Sequence, residues 1–277
     1  MHFSQLLVQF ELARAYQMNG QIERAVELLE YVVSVLNRSL SEQHSDRLAS
    51  QHELARAYQA AGQIKSAVEL LEHVVAIERE SRSEDNADRL ASIHELALAY
   101  EMDGQTKRAV ELMDYVVGSL RRSLGDMHPD LLTFQHELAG ACQSDGQIKR
   151  AILLLERVIA AEAKILSEDH PDRLASKHEL ARAYQADGQL QRAVELLEYV
   201  VAIEENTLRE DHPDRLASQH MLARVYQAGG QTDRALEILG HIVALRGRTL
   251  SEAHPDRLAS QHEYAIAYRV HQMNRAI

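Results

Sequence analysis

The sequence has little of several residue types on which other protein classes depend. It contains one cysteine, no tryptophan and four prolines among 277 residues. A single cysteine excludes an internal disulfide framework and favours a reducing, cytoplasmic location. Since no run of about 18 apolar residues occurs, no segment is predicted to span a membrane. The chain also has only 12 glycines, which predicts long helices joined by short loops.

An excess of positive charge is also missing. The chain has 30 basic and 42 acidic residues, which gives a formal net charge of −12. General binding to nucleic acid or to an anionic membrane needs a basic surface, so neither partner is predicted. With 45% hydrophobic and 26% charged residues, the composition is typical of a soluble folded protein and too apolar for a disordered one.

What the sequence does contain is an internal repeat with a constant period. Glycine recurs every 42 residues, at Gly20, Gly62, Gly104, Gly146, Gly188 and Gly230. The copies span residues 4–45, 46–87, 88–129, 130–171, 172–213 and 214–255, with a partial copy at 256–277. One short copy cannot bury its apolar face alone, so neighbouring copies are expected to stack. We therefore predict a single repeat domain over residues 1–277.

Each copy has the pattern of two helices. In residues 46–87, Leu54 and Tyr58 fall on one face of the first helix. Gly62 lies where a left-handed C-cap is needed, a backbone conformation that glycine adopts without strain. The second helix carries a wide apolar stripe and is predicted to end near residues 79–80. The members of that stripe are Ile64, Ala67, Val68, Leu71, Val74 and Val75.

The connectors between copies carry their own signals. All four prolines lie there and are followed by aspartate, at Pro129, Pro171, Pro213 and Pro255. Proline lacks the N–H that would be unpaired at a helix start, and the acid complements the helix dipole. Histidine recurs in the same connectors, at His44, His128, His170, His212 and His254. We predict that these histidines cap and pack the turns.

A pattern of small and large residues now points to a family. It is seen at Leu54, Ala55, Tyr58, Gly62, Ala67 and Leu71. This pattern resembles a tetratricopeptide repeat. The 42-residue period, the long second helix and the HPD connector are similar to the kinesin-light-chain subtype. Near-identical copies worded DRLASQHELARAYQ also resemble the C-terminal arrays of fungal NLR-type receptors. The resemblance implies an all-α, right-handed superhelical solenoid of antiparallel helix pairs, with about six and a half repeats.

The many histidines and the single cysteine raise the question of catalysis. The first-helix histidines are His52, His94, His136, His178, His220 and His262. A zinc hydrolase of the HExxH type needs a second histidine four residues later, and every copy lacks it. Cys142 replaces a tyrosine on a buried face and has no neighbouring base, so we interpret it as a core residue. No phosphate-binding glycine motif occurs. We predict no enzyme activity, catalytic residue, cofactor or metal.

The face of the first helix that does not pack is the candidate binding surface. His52, Arg56 and Gln59 stand at i, i+4 and i+7, so they share one stripe. By resemblance to tetratricopeptide arrays, this stripe lines a concave groove that binds extended peptides. The candidate residues are His52, Arg56, Gln59, His94, Leu98, Met102, His136, Gly140, His178, Arg182, His220 and Arg224.

The chemistry along this stripe suggests a ligand. Arginines toward both ends are able to hold carboxylates by bidentate bonds. The middle is apolar around Leu98, Met102 and Phe134, and we predict a pocket there. A short acidic peptide with one large apolar anchor would fit. The alternative is that residues such as Arg56 and Glu53 merely pair along a solvated face.

Two further hypotheses concern what lies beyond one chain. The array resembles a sensor or autoinhibitory module of a larger NLR-type receptor ATPase, although this sequence contains no ATPase motif. Separately, Phe3, Leu7 and Phe10 place apolar side chains at one end of the array. That pattern is compatible with a truncated chain, an upstream domain or end-to-end self-association.

Overall fold

The computed structural model describes residues 3–275, with side chains for residues 5–273. Within residues 3–275 the chain forms thirteen α-helices and no strand. They are α1 (Phe3–Met18), α2 (Ile22–Ser39), α3 (Ser45–Ala60), α4 (Ile64–Ser81), α5 (Ala87–Met102), α6 (Thr106–Leu124), α7 (Pro129–Ser144), α8 (Ile148–Ile165), α9 (Pro171–Ala186), α10 (Leu190–Thr207), α11 (Pro213–Ala228), α12 (Thr232–Thr249) and α13 (Pro255–Arg275). The prediction of an all-α repeat solenoid is confirmed.

The helices fall into two compact units. The first unit ends at Gly146 and the second begins at Gln147. In each unit every helix packs against the next one along the chain, from α1 to α7 and from α8 to α13. Odd-numbered helices are the first helices of the copies and even-numbered helices are the second. One continuous domain over the whole chain stays a prediction.

The turn inside each copy is closed by its glycine. Gly62 has a φ of +72°, in the left-handed region that favours glycine. Its N–H donates to the carbonyl of Gln59 at 3.0 Å, which satisfies one of the free carbonyls at the end of α3. The predicted turn is therefore confirmed. Helix α4 continues to Ser81, slightly beyond its predicted end, since the chain leaves helical geometry only at Arg82.

The connector histidines are N-caps, as predicted. Nδ1 of His44 accepts a hydrogen bond from the backbone N–H of Asp46 at 3.2 Å. The same bond recurs at His128, His170, His212 and His254. In the third copy Asn86 takes over and accepts from the N–H of Arg89. Each cap satisfies an orphan donor of the first turn, which is why the first helices begin at constant places in the repeat.

In the first unit the core runs from one copy into the next. Leu71 of α4 is fully buried in a cluster that also contains Ala55 of α3 and Ile93 of α5. Burying a leucine or isoleucine side chain contributes about 1.5–3 kcal/mol, so each second helix is held chiefly by its two neighbours. Cys142 is also fully buried, as the interpretation of this residue as part of the core requires.

Candidate functional site

The twelve candidate residues form what we call the first-helix stripe. In α3 the side chain of Arg56 is exposed, whereas His52 and Gln59 are half-buried. Neighbouring first helices approach one another within a unit, α3 with α5 and α9 with α11. The stripe of one copy can therefore make contact with the stripe of the next.

Arg56, the arginine of the stripe in α3, already lies close to two carboxylates of the protein itself. Arg56 Nη1 lies 3.5 Å from Oε1 of Glu53, and its Nε lies 3.5 Å from Oε1 of Glu95 in the next first helix. Gln59 Nε2 donates to the backbone carbonyl of Glu95 at 3.3 Å. This is the pairing that the solvated-face alternative describes. Helical spacing within one copy does not reveal Glu95, because that residue comes from another helix.

The stripe histidines also join neighbouring first helices. His94 Nε2 lies 2.8 Å from Oε2 of Glu137, and His220 Nδ1 lies 3.0 Å from Oε2 of Glu263. Burial lowers the pKa of His220, an effect that the carboxylate of Glu263 opposes. Burial likewise lowers the pKa of His52. At neutral pH the uncharged form is therefore favoured at both positions.

The middle of the stripe is partly filled. The ring of Phe134 packs edge-on against His94, with centroids 4.9 Å apart, and against the core below. Met102 is 56% exposed, and a Cβ added at Gly140 would meet nothing within 4 Å. An apolar side chain and open space are thus available there. The apolar pocket stays a prediction.

Two cavities define the chemistry at either end of the array. The apolar cavity, of about 140 Å³ in the first unit, is lined mainly by Leu6, Leu7, Phe10, Val32 and Leu36. The basic cavity, of about 710 Å³, lies in the second unit. Its lining residues include His178, Arg182, His220, Met221, Arg224 and Arg246.

The basic cavity brings together four residues of the predicted stripe and two that sequence reasoning missed. A signal for the missed pair exists in the repeat columns. Met221 stands where every other copy has glutamate, and Arg246 is the basic member of a column of leucine and glutamate. Both residues are exceptions to a periodic pattern, and reading the columns for exceptions would have found them.

Among side chains 5–273, no group of three His, Cys, Asp or Glu residues is arranged to hold a metal ion. No helix within residues 3–275 has both the length and the apolar character needed to cross a bilayer.

Family comparisons match the repeat architecture. A family profile described as tetratricopeptide repeat matches residues 4–80, 130–205 and 172–247. A second tetratricopeptide repeat profile matches residues 89–130. No curated protein matches the chain.

Solved structures give relatives of different closeness. One structure contains nearly identical TPR-like repeats from a proposed kinesin light chain of Podosopora anserina, and it is 56% identical to this chain. The match has a TM-score of 0.71 and covers 76% of this chain and 99% of that one. BtubC from P. vanneervenii is 18% identical, with a TM-score of 0.62 over 90% of this chain and 94% of its own. A STAND ATPase with a tetratricopeptide repeat sensor, from Pyrococcus horikoshii, is 13% identical, with a TM-score of 0.68 over 95% of this chain and 38% of its own. The last two share the fold.

Proposed function

The chain belongs to the tetratricopeptide repeat family, and from that premise we propose that it is a non-catalytic scaffold that binds a peptide or partner surface along the first-helix stripe. Repeats of this family generally mediate protein–protein interaction, and the scaffolds they form are generally non-catalytic. The proposed location is the cytoplasm.

One observation carries this proposal. The core columns hardly change between copies, but the exposed column at Arg56 does. Its members are Arg14, Arg56, Leu98, Gly140, Arg182, Arg224 and Ile266. The column therefore offers arginine in four copies and leucine, glycine or isoleucine in the other three, at equivalent places of the repeat. Such a surface suits sequence-selective binding, in which a few desolvated anchors give affinity and charges give selectivity.

The favoured ligand is an acidic peptide with an apolar anchor. The charged part of this proposal rests on the exposed arginines of the stripe, and the apolar part rests on Met102 and the space over Gly140. Neither nucleic acid nor a membrane surface is a proposed partner, because the chain is strongly acidic.

The test is a pull-down from a cytosolic extract with three proteins. The first is the wild type and the second carries Arg56, Arg182 and Arg224 changed to glutamate. The third is a matched control with the same charge change at exposed positions of second helices, Lys65, Lys107 and Lys149. Partners lost only from the stripe variant are expected. Loss from the control alone would contradict the proposal, as would partners retained by all three proteins, provided that helicity is unchanged.

A second candidate is a sensor or autoinhibitory module of a larger NLR-type receptor ATPase. The fold shared with the STAND ATPase favours it, since in that protein tetratricopeptide repeats form the sensor. This role requires an ATPase domain outside the present sequence. Repression of such an ATPase by the added repeat chain would support it, and unchanged ATP turnover would contradict it.

End-to-end self-association also stays a prediction. Leu7 is 58% exposed, while Phe10 is half-buried against the apolar cavity. The side chain of Phe3 lies outside the described residues. A mass that rises with concentration in light scattering is expected if the ends associate, and a strictly monomeric mass would exclude association.

A further inference from the structure

The arginines in the column of Arg56 are paired with glutamate, with one exception. Arg14, Arg56 and Arg182 each lie next to a glutamate three residues earlier, at 3.5, 3.5 and 2.7 Å. These partners are Glu11, Glu53 and Glu179. The residue three positions before Arg224 is Met221. Among the side chains of residues 5–273, Arg224 has no hydrogen-bond or ion-pair partner.

The next first helix does not supply the missing charge either. Arg56 gains a second carboxylate from Glu95, which stands 39 positions later. The counterpart for Arg224 is Glu263, but Glu263 lies 3.0 Å from His220 Nδ1 instead. The guanidinium of Arg224 is therefore exposed in the basic cavity with its hydrogen-bond donors available.

A second substitution adds positive charge to the same cavity. In the second, fourth and fifth copies this buried position holds glutamate. Glu162 accepts from Ser176 at 2.9 Å and Glu204 accepts from Ser218 at 3.1 Å. The sixth copy has Arg246, which donates to the hydroxyl of Ser260 and, at 2.8 Å, to a backbone carbonyl. In the described part of the chain no carboxylate pairs with Arg246.

The rest of the lining limits what the basic cavity accepts. Two carboxylates are present, Asp211, which pairs with Arg209 at 3.4 Å, and Asp256. Apolar side chains lie beside the arginines, among them Leu216 and Leu250. A small number of cations next to an apolar wall suits a peptide side chain better than a phosphate backbone, which needs a continuous basic surface.

We propose that the basic cavity binds carboxylate side chains of an acidic peptide segment, and that Met221 creates this site by leaving Arg224 unpaired. Arg224 receives a carboxylate through paired N–H donors. Arg246 adds a second positive charge, and the apolar wall takes a neighbouring apolar side chain. The inference rests on the proposed function, since it names the class of partner for the same surface.

The decisive variant is Met221→Glu, which restores the pairing seen at Arg14, Arg56 and Arg182. Every other first helix in the array carries glutamate at this place, so the variant is expected to fold. A random peptide library is first panned against the wild type, and the enriched peptides are then measured by fluorescence anisotropy. We expect acidic peptides with an apolar residue and at least tenfold weaker binding to Met221→Glu. The matched control Lys149→Gln makes the same charge change at an exposed position of a second helix, outside the stripe, and is expected to bind within twofold of the wild type.

The possible outcomes separate this inference from the proposed function. Enriched peptides that lack acidic residues, or that bind Met221→Glu as well as the wild type, contradict the inference and leave peptide binding intact. A loss in Lys149→Gln as large as that in Met221→Glu also contradicts it. If no peptide is enriched at all, peptide binding by the stripe fails together with the inference. Circular dichroism of each variant excludes unfolding as the cause of a loss.

Discussion

The apolar cavity of the first unit and the basic cavity of the second are built from the same positions of the repeat. Corresponding lining residues stand five periods of 42 residues apart along the chain. The pairs are Leu6 and Leu216, Leu7 and Ala217, Phe10 and His220, Leu36 and Arg246, Asp46 and Asp256, and Ala49 and Ala259. The two cavities thus lie at the same place in the repeat but differ in the chemistry of the side chains that line them.

The difference shows how this fold can gain a site while its helix frame is kept. Leu36 is buried against Leu6 and Val32, whereas Arg246 in the same column reaches a serine and a backbone carbonyl. Helix caps and core leucines are common to both places. A few substitutions among the lining residues therefore account for the difference between the apolar cavity and the basic cavity.

The largest effect on stability is expected from truncating Leu36, which lines the apolar cavity of the first unit. Leu36→Ala removes a side chain that is only 4% exposed, and such changes cost about 2–5 kcal/mol of unfolding free energy. Arg246→Ala, at the same place in the second unit, is expected to cost about 1 kcal/mol, because it removes two hydrogen bonds next to an open cavity. Urea unfolding followed by circular dichroism measures both. Equal losses would contradict the contrast between the two cavities.

Glu204 stands at the same place in the repeat as Leu36 and Arg246, and it is expected to make the unfolding free energy depend on pH. Burial raises the pKa of this carboxyl from 4.5 to about 7, so the folded state holds the proton more tightly than the unfolded state. Its contribution to stability is present below pH 4.5 and is lost as the pH rises through about 7. Glu204→Gln is therefore expected to raise the unfolding free energy at pH 8 by about 1–3 kcal/mol and to change it little at pH 4.

The control for this variant is Glu237→Gln, at an exposed glutamate of the same unit. It is expected to show no comparable pH-dependent gain. Because burial also raises the pKa of Glu162, Glu162→Gln should change stability in the same direction as Glu204→Gln. A Glu204→Gln protein that is less stable than the wild type at pH 8 would show that the buried carboxylate is net favourable when ionised.

The smallest effect is expected from the helix caps, which do not differ between the units. His44→Ala in the first unit and His254→Ala in the second each remove a cap bond of 3.2 Å. Both are expected to lose about 1 kcal/mol of unfolding free energy. Replacement of either histidine by asparagine, the natural cap at Asn86, should restore most of the loss. A cost confined to one unit would mean that the repeat frames are not equivalent.

Most of the fold could be predicted because local rules determine it. The positive φ at Gly62, the proline starts and the capping histidines each depend on a few adjacent residues. The apolar spacing of the second helix likewise predicts its buried face. The stripe itself follows from the 3.6-residue period.

The pairing of charges along the stripe could not be predicted in the same way. Arg56 was expected to be available for a ligand, yet Glu95, from a helix 39 residues away in sequence, approaches it. Arg224 is available to a ligand for two reasons. Residue 221 is methionine where the other copies have glutamate, and Glu263 pairs with His220. Such contacts depend on how first helices meet in space, and helical periodicity alone does not describe that.

The most direct test of the account is a methyl NMR titration of the protein labelled at its methionines. Met221 lies in the basic cavity, and Met102 lies on the stripe of the first unit. The probe is a synthetic peptide that alternates glutamate and leucine, with a glutamine version as control. The account predicts that the acidic peptide shifts the Met221 methyl signal, and that the glutamine version does not. A shift at Met102 with none at Met221, or equal shifts with both peptides, would contradict it.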